Sequence, residues 1–120
     1  MKAAGTRESL EPGCPFCKAK LERPSKIKLS SSESVLGGRC RTCGALSIYD
    51  PTGKNLGEAM VQALDLAARE LSKDVSDMVA GEDYDDVILG YDLRTHRSSG
   101  KARGVMNGHG CLYVLSILKK

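Results

Sequence analysis

The chain has no tryptophan, one phenylalanine (Phe16) and four tyrosines among its 120 residues, so its core must be built from aliphatic side chains. The same scarcity removes the row of aromatic rings on which single-stranded nucleic acids stack. No apolar run approaches the roughly 20 residues that a membrane-crossing helix needs. No phosphate-cradling loop, serine elbow or dinucleotide fingerprint is present. Beyond Asp92 there is no acidic residue at all. The opening Met1-Lys2-Ala3-Ala4 leads into no apolar secretory segment, which makes a cytoplasmic, reducing setting the expected one.

Cysteine is where the sequence is specific. Cys14-Pro15-Phe16-Cys17 and Cys40-Arg41-Thr42-Cys43 form two matched pairs, separated by 22 residues. Each pair puts two thiolates on one tight turn, and two such turns facing each other close a tetrahedral shell of sulfur around one Zn2+. Pro15 presets the first turn, and Gly44 allows the close approach through which backbone N–H groups reach a ligating sulfur. Lys18, Arg39 and Arg41 oppose the negative charge of a four-thiolate centre. The competing readings are two disulfides, a redox-active Cys-x-x-Cys, or iron in place of zinc. A reducing compartment disfavours the first. A redox motif needs only one pair, at a strand-to-helix junction.

These residues resemble the zinc-ribbon superfamily over about residues 12–50. The resemblance implies two knuckles on adjoining hairpins of a small antiparallel sheet, with Cys14, Cys17, Cys40 and Cys43 as the ligands. It fixes no activity, because zinc ribbons serve in transcription factors, ribosomal proteins, polymerase subunits and adaptors.

Periodicity supplies the remaining elements. Ile27 and Leu29 alternate with Lys26 and Lys28 as a half-buried strand requires, Val35 and Leu36 begin a return strand, and Ala45 to Tyr49 make a third. Asp50-Pro51-Thr52-Gly53 then signals a turn. From Asn55, a capping residue with Glu58 as its partner, the period changes to that of a helix reaching Lys73, with Ala59, Ala63 and Ala67 in a stripe that permits close packing on a sheet. A short helical turn is expected up to Ala80, closed by Gly81. Glu82 to Asp86 reads as a solvated acidic turn, since it lacks the glycine and terminal glutamate of a calcium loop. Tyr91 to Thr95 and Cys111 to Leu118 read as a hairpin, its second strand apolar enough to be central.

The expected fold class is α+β. An N-terminal antiparallel four-cysteine zinc ribbon (residues 1–53) would share a core with one main helix and a C-terminal β-hairpin (residues 54–120). Charge falls in blocks. Residues 1–54 hold ten Lys and Arg against five Asp and Glu, residues 55–92 two against ten, and residues 93–120 six against none. Either the blocks neutralise each other inside the fold, or they make binding faces. Arg39, Arg41, Arg94, Arg97, Lys101 and Arg103 are the candidate nucleic-acid contacts, the last four on a glycine-rich stretch suited to phosphate.

Catalysis finds little support. Cys111 opens an apolar strand, and a nucleophile or second metal site built from Cys111, His96 and His109 would be poorly preorganised. The expectation is a non-enzymatic zinc-binding module with nucleic acid as the first candidate ligand. A protein adaptor using the acidic middle segment comes second, and an enzyme using the carboxylate cluster or the loop histidines third. No membrane partner is expected.

Overall fold

The computed structural model describes residues 11–29, 33–52, 56–101 and 110–118. Six strands form one antiparallel sheet: β1 (Ser25–Lys28), β2 (Ser34–Arg39), β3 (Leu46–Asp50), β4 (Tyr84–Asp92), β5 (Arg97–Lys101) and β6 (Gly110–Ile117). Their spatial order is β1-β2-β3-β6-β4-β5, so the last strand in the chain lies between the third and fourth. One helix, α1 (Leu56–Leu71), and a short 3-10 turn (Val75–Asp77) join β3 to β4.

Alternation along β6 gives the sheet two apolar faces. Tyr113 and Leu115 point to one side, where they meet Leu46 and Ile48 of β3, Tyr84 of β4, and Ala59, Ala63, Leu64 and Ala67 of α1. Leu112 and Val114 point to the other, where they meet Leu89 and Tyr91 of β4, together with Leu21, Ala45, Cys14 and Cys40. The helix covers the first face, and the irregular segment of residues 11–24 covers the second. Gly37 of β2 sits where a Cβ would fall 2.2 Å from the Ser47 carbonyl oxygen, so only glycine lets β2 lie this close to β3.

The alanine stripe does what its spacing predicts: Ala59, Ala63 and Ala67 are fully buried and α1 lies against β3 and β6. The helix closes with Ser72 in the left-handed region (φ 56°), its N–H bonded to the Arg69 carbonyl and that of Lys73 to the Ala68 carbonyl. This is the Schellman pattern, with serine where glycine is usual. The expected cap, Asn55, lies outside the described residues.

The expected fold class is corrected. There is no terminal ribbon followed by a helix-and-hairpin unit. The cysteines at 14–43 precede the helix, and the strands beside them belong to the same six-stranded sheet as β4, β5 and β6. The C-terminal hairpin is corrected as well. β4 begins at Tyr84, within the supposed acidic turn, and its hairpin partner is β5, while β6 pairs with β3 and β4. The carboxylates permit this because two of them are satisfied internally. Asp83 bonds Lys73 Nζ at 2.9 Å and the Val79 N–H at 2.8 Å, and Asp86 accepts the Tyr113 hydroxyl. Arg97 and Lys101, expected in a loop, belong to the edge strand β5.

Serine at the left-handed position costs about 1 kcal/mol relative to glycine there. Ser72→Gly is therefore expected to raise unfolding stability by about 0.5–1 kcal/mol at constant metal loading, measured by denaturant titration. A drop in stability would show that the serine side chain makes a compensating contact.

Candidate metal centre

The two cysteine turns are built alike. In the first, the Lys18 N–H bonds the Cys14 carbonyl at 2.9 Å and the Cys14 N–H bonds the Ala19 carbonyl at 2.7 Å. In the second, Gly44 to Cys40 and Cys40 to Ala45 repeat those two bonds at 2.9 and 2.7 Å. Both turns place the residue after their second cysteine in the left-handed region, Lys18 at φ 71° and Gly44 at φ 84°. The sequence carries this as Cys-x-x-Cys-x-Ala written twice. The first turn is closed by a bridge between Gly13 and Lys20, and the second connects β2 to β3.

The four sulfurs converge. All lie within 4.8 Å of one another, and across the two turns Cys14 Sγ is 3.6 Å from Cys43 Sγ and Cys17 Sγ 3.5 Å from Cys40 Sγ. Four Zn–S bonds of about 2.3 Å at tetrahedral angles put neighbouring sulfurs about 3.8 Å apart, so the set fits a zinc-sized ion with small adjustment. This is the one group of three or more metal-ligating side chains among the described residues. Cys14 and Cys40 are buried, Cys17 is half-buried and Cys43 is exposed, which gives the site one face toward solvent.

The electrostatics are those of crowded thiols sharing charge. Burial pushes the Cys14 thiol up, against the pull of the Phe16 and Cys17 N–H groups. Burial also acts upward on Cys40, but the Cys43 and Thr42 N–H groups and the neighbouring sulfurs outweigh it and hold the thiol at about 7. Although Cys43 is exposed as a residue, desolvation beside the other turn and the three adjacent sulfurs drive its thiol up to about 12, despite the Ala45 N–H. A divalent cation replaces the protons these groups would otherwise share.

Two of the three cations beside the centre, Arg39 and Arg41, are engaged with carboxylates. Arg39 pairs with Glu70 of α1 and donates to the Gly44 carbonyl at 3.2 Å, and Arg41 pairs with Glu22 at 2.9 Å. Farther along the same face the covering segment is anchored a second time. Arg23 donates to the Leu93 carbonyl, and His96 bridges the Leu21 carbonyl (Nε2, 3.0 Å) and the Tyr91 hydroxyl (Nδ1, 2.6 Å). The Leu21 oxygen can only accept, so Nε2 carries the proton and Nδ1 accepts from Tyr91 in the neutral ring. Sequence reasoning missed this clasp, because nothing local links His96 to Leu21.

The structure brings Cys14, Cys17, Cys40 and Cys43 together and spreads the six candidate nucleic-acid residues over separate elements. Arg39 ends β2 and Arg41 lies in the second cysteine turn, while Arg97 and Lys101 lie on β5, with β3, β6 and β4 between. Arg94 is exposed on the β4–β5 turn, and Arg103 lies outside the described residues, as does His109. Cys111 is fully buried, opposite Asp50 on β3 and Gly90 on β4. Comparison with protein-family models, with curated proteins and with solved structures finds no significant match.

One tightly held metal ion per chain is the expected result of elemental analysis, with Cys40→Ser losing most of it. Full metal retention by that variant would remove Cys40 from the site. Cys111 should label slowly with iodoacetamide in the native protein, read peptide by peptide by mass spectrometry, because burial and the nearby Asp50 charge both raise its thiol. The rate should increase with pH as thiolate forms. Rapid labelling at neutral pH would show that the β3–β6–β4 packing opens there.

Proposed function

We propose that this chain is a zinc-stabilised, non-enzymatic binding module, in which Zn2+ held by Cys14, Cys17, Cys40 and Cys43 staples residues 11–24 to the sheet. The observation that carries the reading is the convergence of the four sulfurs within 4.8 Å, with two of them, Cys14 and Cys40, in the same apolar cluster as Leu112 and Val114. Zn2+ is preferred over iron as a redox-inert ion that closes a tetrahedral four-sulfur site. A structural role follows from the completeness of the shell, since a catalytic zinc keeps one position for water or substrate.

Nucleic acid is the ligand proposed for the cationic end of the sheet. Arg94, Arg97 and Lys101 come from one hairpin, β4–β5, and Arg103 follows in sequence. Arg39 and Arg41 contribute less than expected from sequence, because Glu70 and Glu22 partly neutralise them. A second reading, a protein adaptor, is favoured by a separate observation: exposed apolar side chains among carboxylates at the far end of α1.

Electrophoretic mobility shifts with DNA and RNA over a salt series test the ligand. Affinity should fall steeply as salt rises. Arg94→Gln, Arg97→Gln and Lys101→Gln combined should weaken binding to all sequences alike and flatten the salt slope by about one unit for each phosphate that is no longer neutralised. Failure of the wild type to bind at low salt would overturn the nucleic-acid reading and leave the metal reading standing.

A further inference from the structure

The two cysteine turns bring their sulfurs together but are fixed to the sheet in different ways. The second lies between β2 and β3, and the pairing of Arg39 with Leu46 closes that ladder across its base. The first belongs to no strand. Among the described residues, every backbone–backbone bond of residues 12–20 stays inside one small lobe. The Leu21 N–H bonds the Pro12 carbonyl at 3.0 Å, Gly13 bridges Lys20, and the Cys14 and Lys18 N–H groups make the two bonds of the turn itself. A two-stranded hairpin of about ten residues is marginally stable at best in water, so this lobe owes its order to what it docks on.

It docks through side chains. Pro12, Cys14 and Leu21 are buried, while Gly13, Lys18 and Lys20 face solvent. Cys14 and Leu21 pack with Ala45, Leu89, Tyr91, Leu112 and Val114. At one end the Cys14 and Cys17 sulfurs meet those of Cys43 and Cys40 at 3.6 and 3.5 Å. At the other, His96 holds the Leu21 carbonyl at 3.0 Å and Arg23 reaches the Leu93 carbonyl, after which the buried Pro24 leads into β1. The dependence does not run both ways. On the helix side of the sheet, Leu46, Ile48, Tyr84, Tyr113 and Leu115 form a core with α1 that contains no residue of the lobe.

We infer that residues 12–21 form a metal-latched lid over the Leu112 and Val114 face, which opens about residues 22–24 when the metal is lost while the sheet and α1 stay folded. This rests on the metal reading of the four cysteines and goes beyond it, assigning the consequence of metal loss to one lobe. The asymmetry of the two turns decides which one moves, since Cys40 and Cys43 keep the β2–β3 ladder and Cys14 and Cys17 keep nothing comparable. His96 sets the pivot, because its bond falls on the last residue of the lobe. Opening uncovers Leu89, Tyr91, Leu112 and Val114, so metal occupancy controls access to an apolar face of the sheet.

Hydrogen exchange read by mass spectrometry on the full chain, loaded with Zn2+ and again after chelation under a reductant, tests the lid. Chelation should speed exchange of the Cys14, Lys18 and Leu21 amides about a hundredfold or more, because each is bonded only within the lobe. Amides of α1, β4 and β6 should change by less than about threefold. Those of Cys40 and Gly44 should keep more protection than those of Cys14 and Lys18. Cys17→Ser should bind less metal and show the opened pattern without chelator. His96→Ala, still loaded, should keep the lid shut, since the clasp marks the pivot and the sulfurs the latch. Exchange that rises equally in the lobe, α1 and β6 on chelation would overturn the lid and leave the metal reading standing. So would a lobe that stays protected after chelation, or a loaded His96→Ala protein as open as the chelated wild type. A chain that binds no metal would overturn both.

Discussion

A sheet with two apolar faces and one helix sets the problem that the rest of this structure solves. β6 is buried along Gly110 to Leu115, with Tyr113 and Leu115 on the helix face and Leu112 and Val114 on the other. Leaving the second pair in water would forfeit about 1.5–3 kcal/mol for each large side chain. The cover available is residues 11–24, which contain no strand or helix and gain few backbone bonds of their own. A segment like that pays its ordering entropy without a ladder to offset it. Four sulfurs that converge on a site for one ion supply the missing constraint at one end, and the Leu21–His96–Tyr91 and Arg23–Leu93 bonds supply it at the other.

Charge is partitioned by the same architecture. The basic N-terminal block and the acidic middle block meet directly in the Arg39–Glu70 pair, which joins the second cysteine turn to the helix on the opposite face of the sheet. Arg41–Glu22 neutralises within the first block, and Lys73–Asp83 within the second. The first two pairs are exposed or partly exposed and contribute little to stability. Their effect is on where charge is concentrated. The β4–β5 hairpin is mixed in sign, with Arg97 directly opposite Asp92, while Asp74, Asp77 and Glu82 are exposed on and beside the turn after α1. The blocks seen in sequence therefore resolve, for part of each block, into internal neutralisation.

Local features were legible in the sequence and long-range ones were not. The cysteine spacing picked out the four side chains that the fold brings together, and the alanine stripe at 59, 63 and 67 the helix face that meets the sheet. The first hairpin also follows from alternation, with Ile27 opposite Val35. The acidic run misled because a carboxylate's burial depends on partners elsewhere: Lys73 ten residues before Asp83, and Tyr113 far down the chain from Asp86. Read alone, Asp83-Tyr84-Asp85-Asp86 is a solvated turn; with those partners it becomes the start of a nine-residue strand. The clasp at His96 was hidden for the same reason, since its acceptor is a backbone carbonyl 75 residues away.

The insertion of β6 is the step that no local signal carries, and it explains why a ribbon was the natural reading of residues 12–50. β1, β2 and β3 are joined by short connections and pair in sequence order, which is all that a ribbon needs. Their sheet continues only because β3 offers its other edge to β6, whose opposite edge then takes β4. An edge strand as apolar as β3 is an aggregation liability when unpaired. A central strand as apolar as β6 has no use for solvent on either side. Each resolves the other's exposed edge, and the six-stranded sheet follows from that match. The cysteine turns then close over a face that β6 has made apolar, so the four-cysteine cluster completes a core shared by the whole sheet.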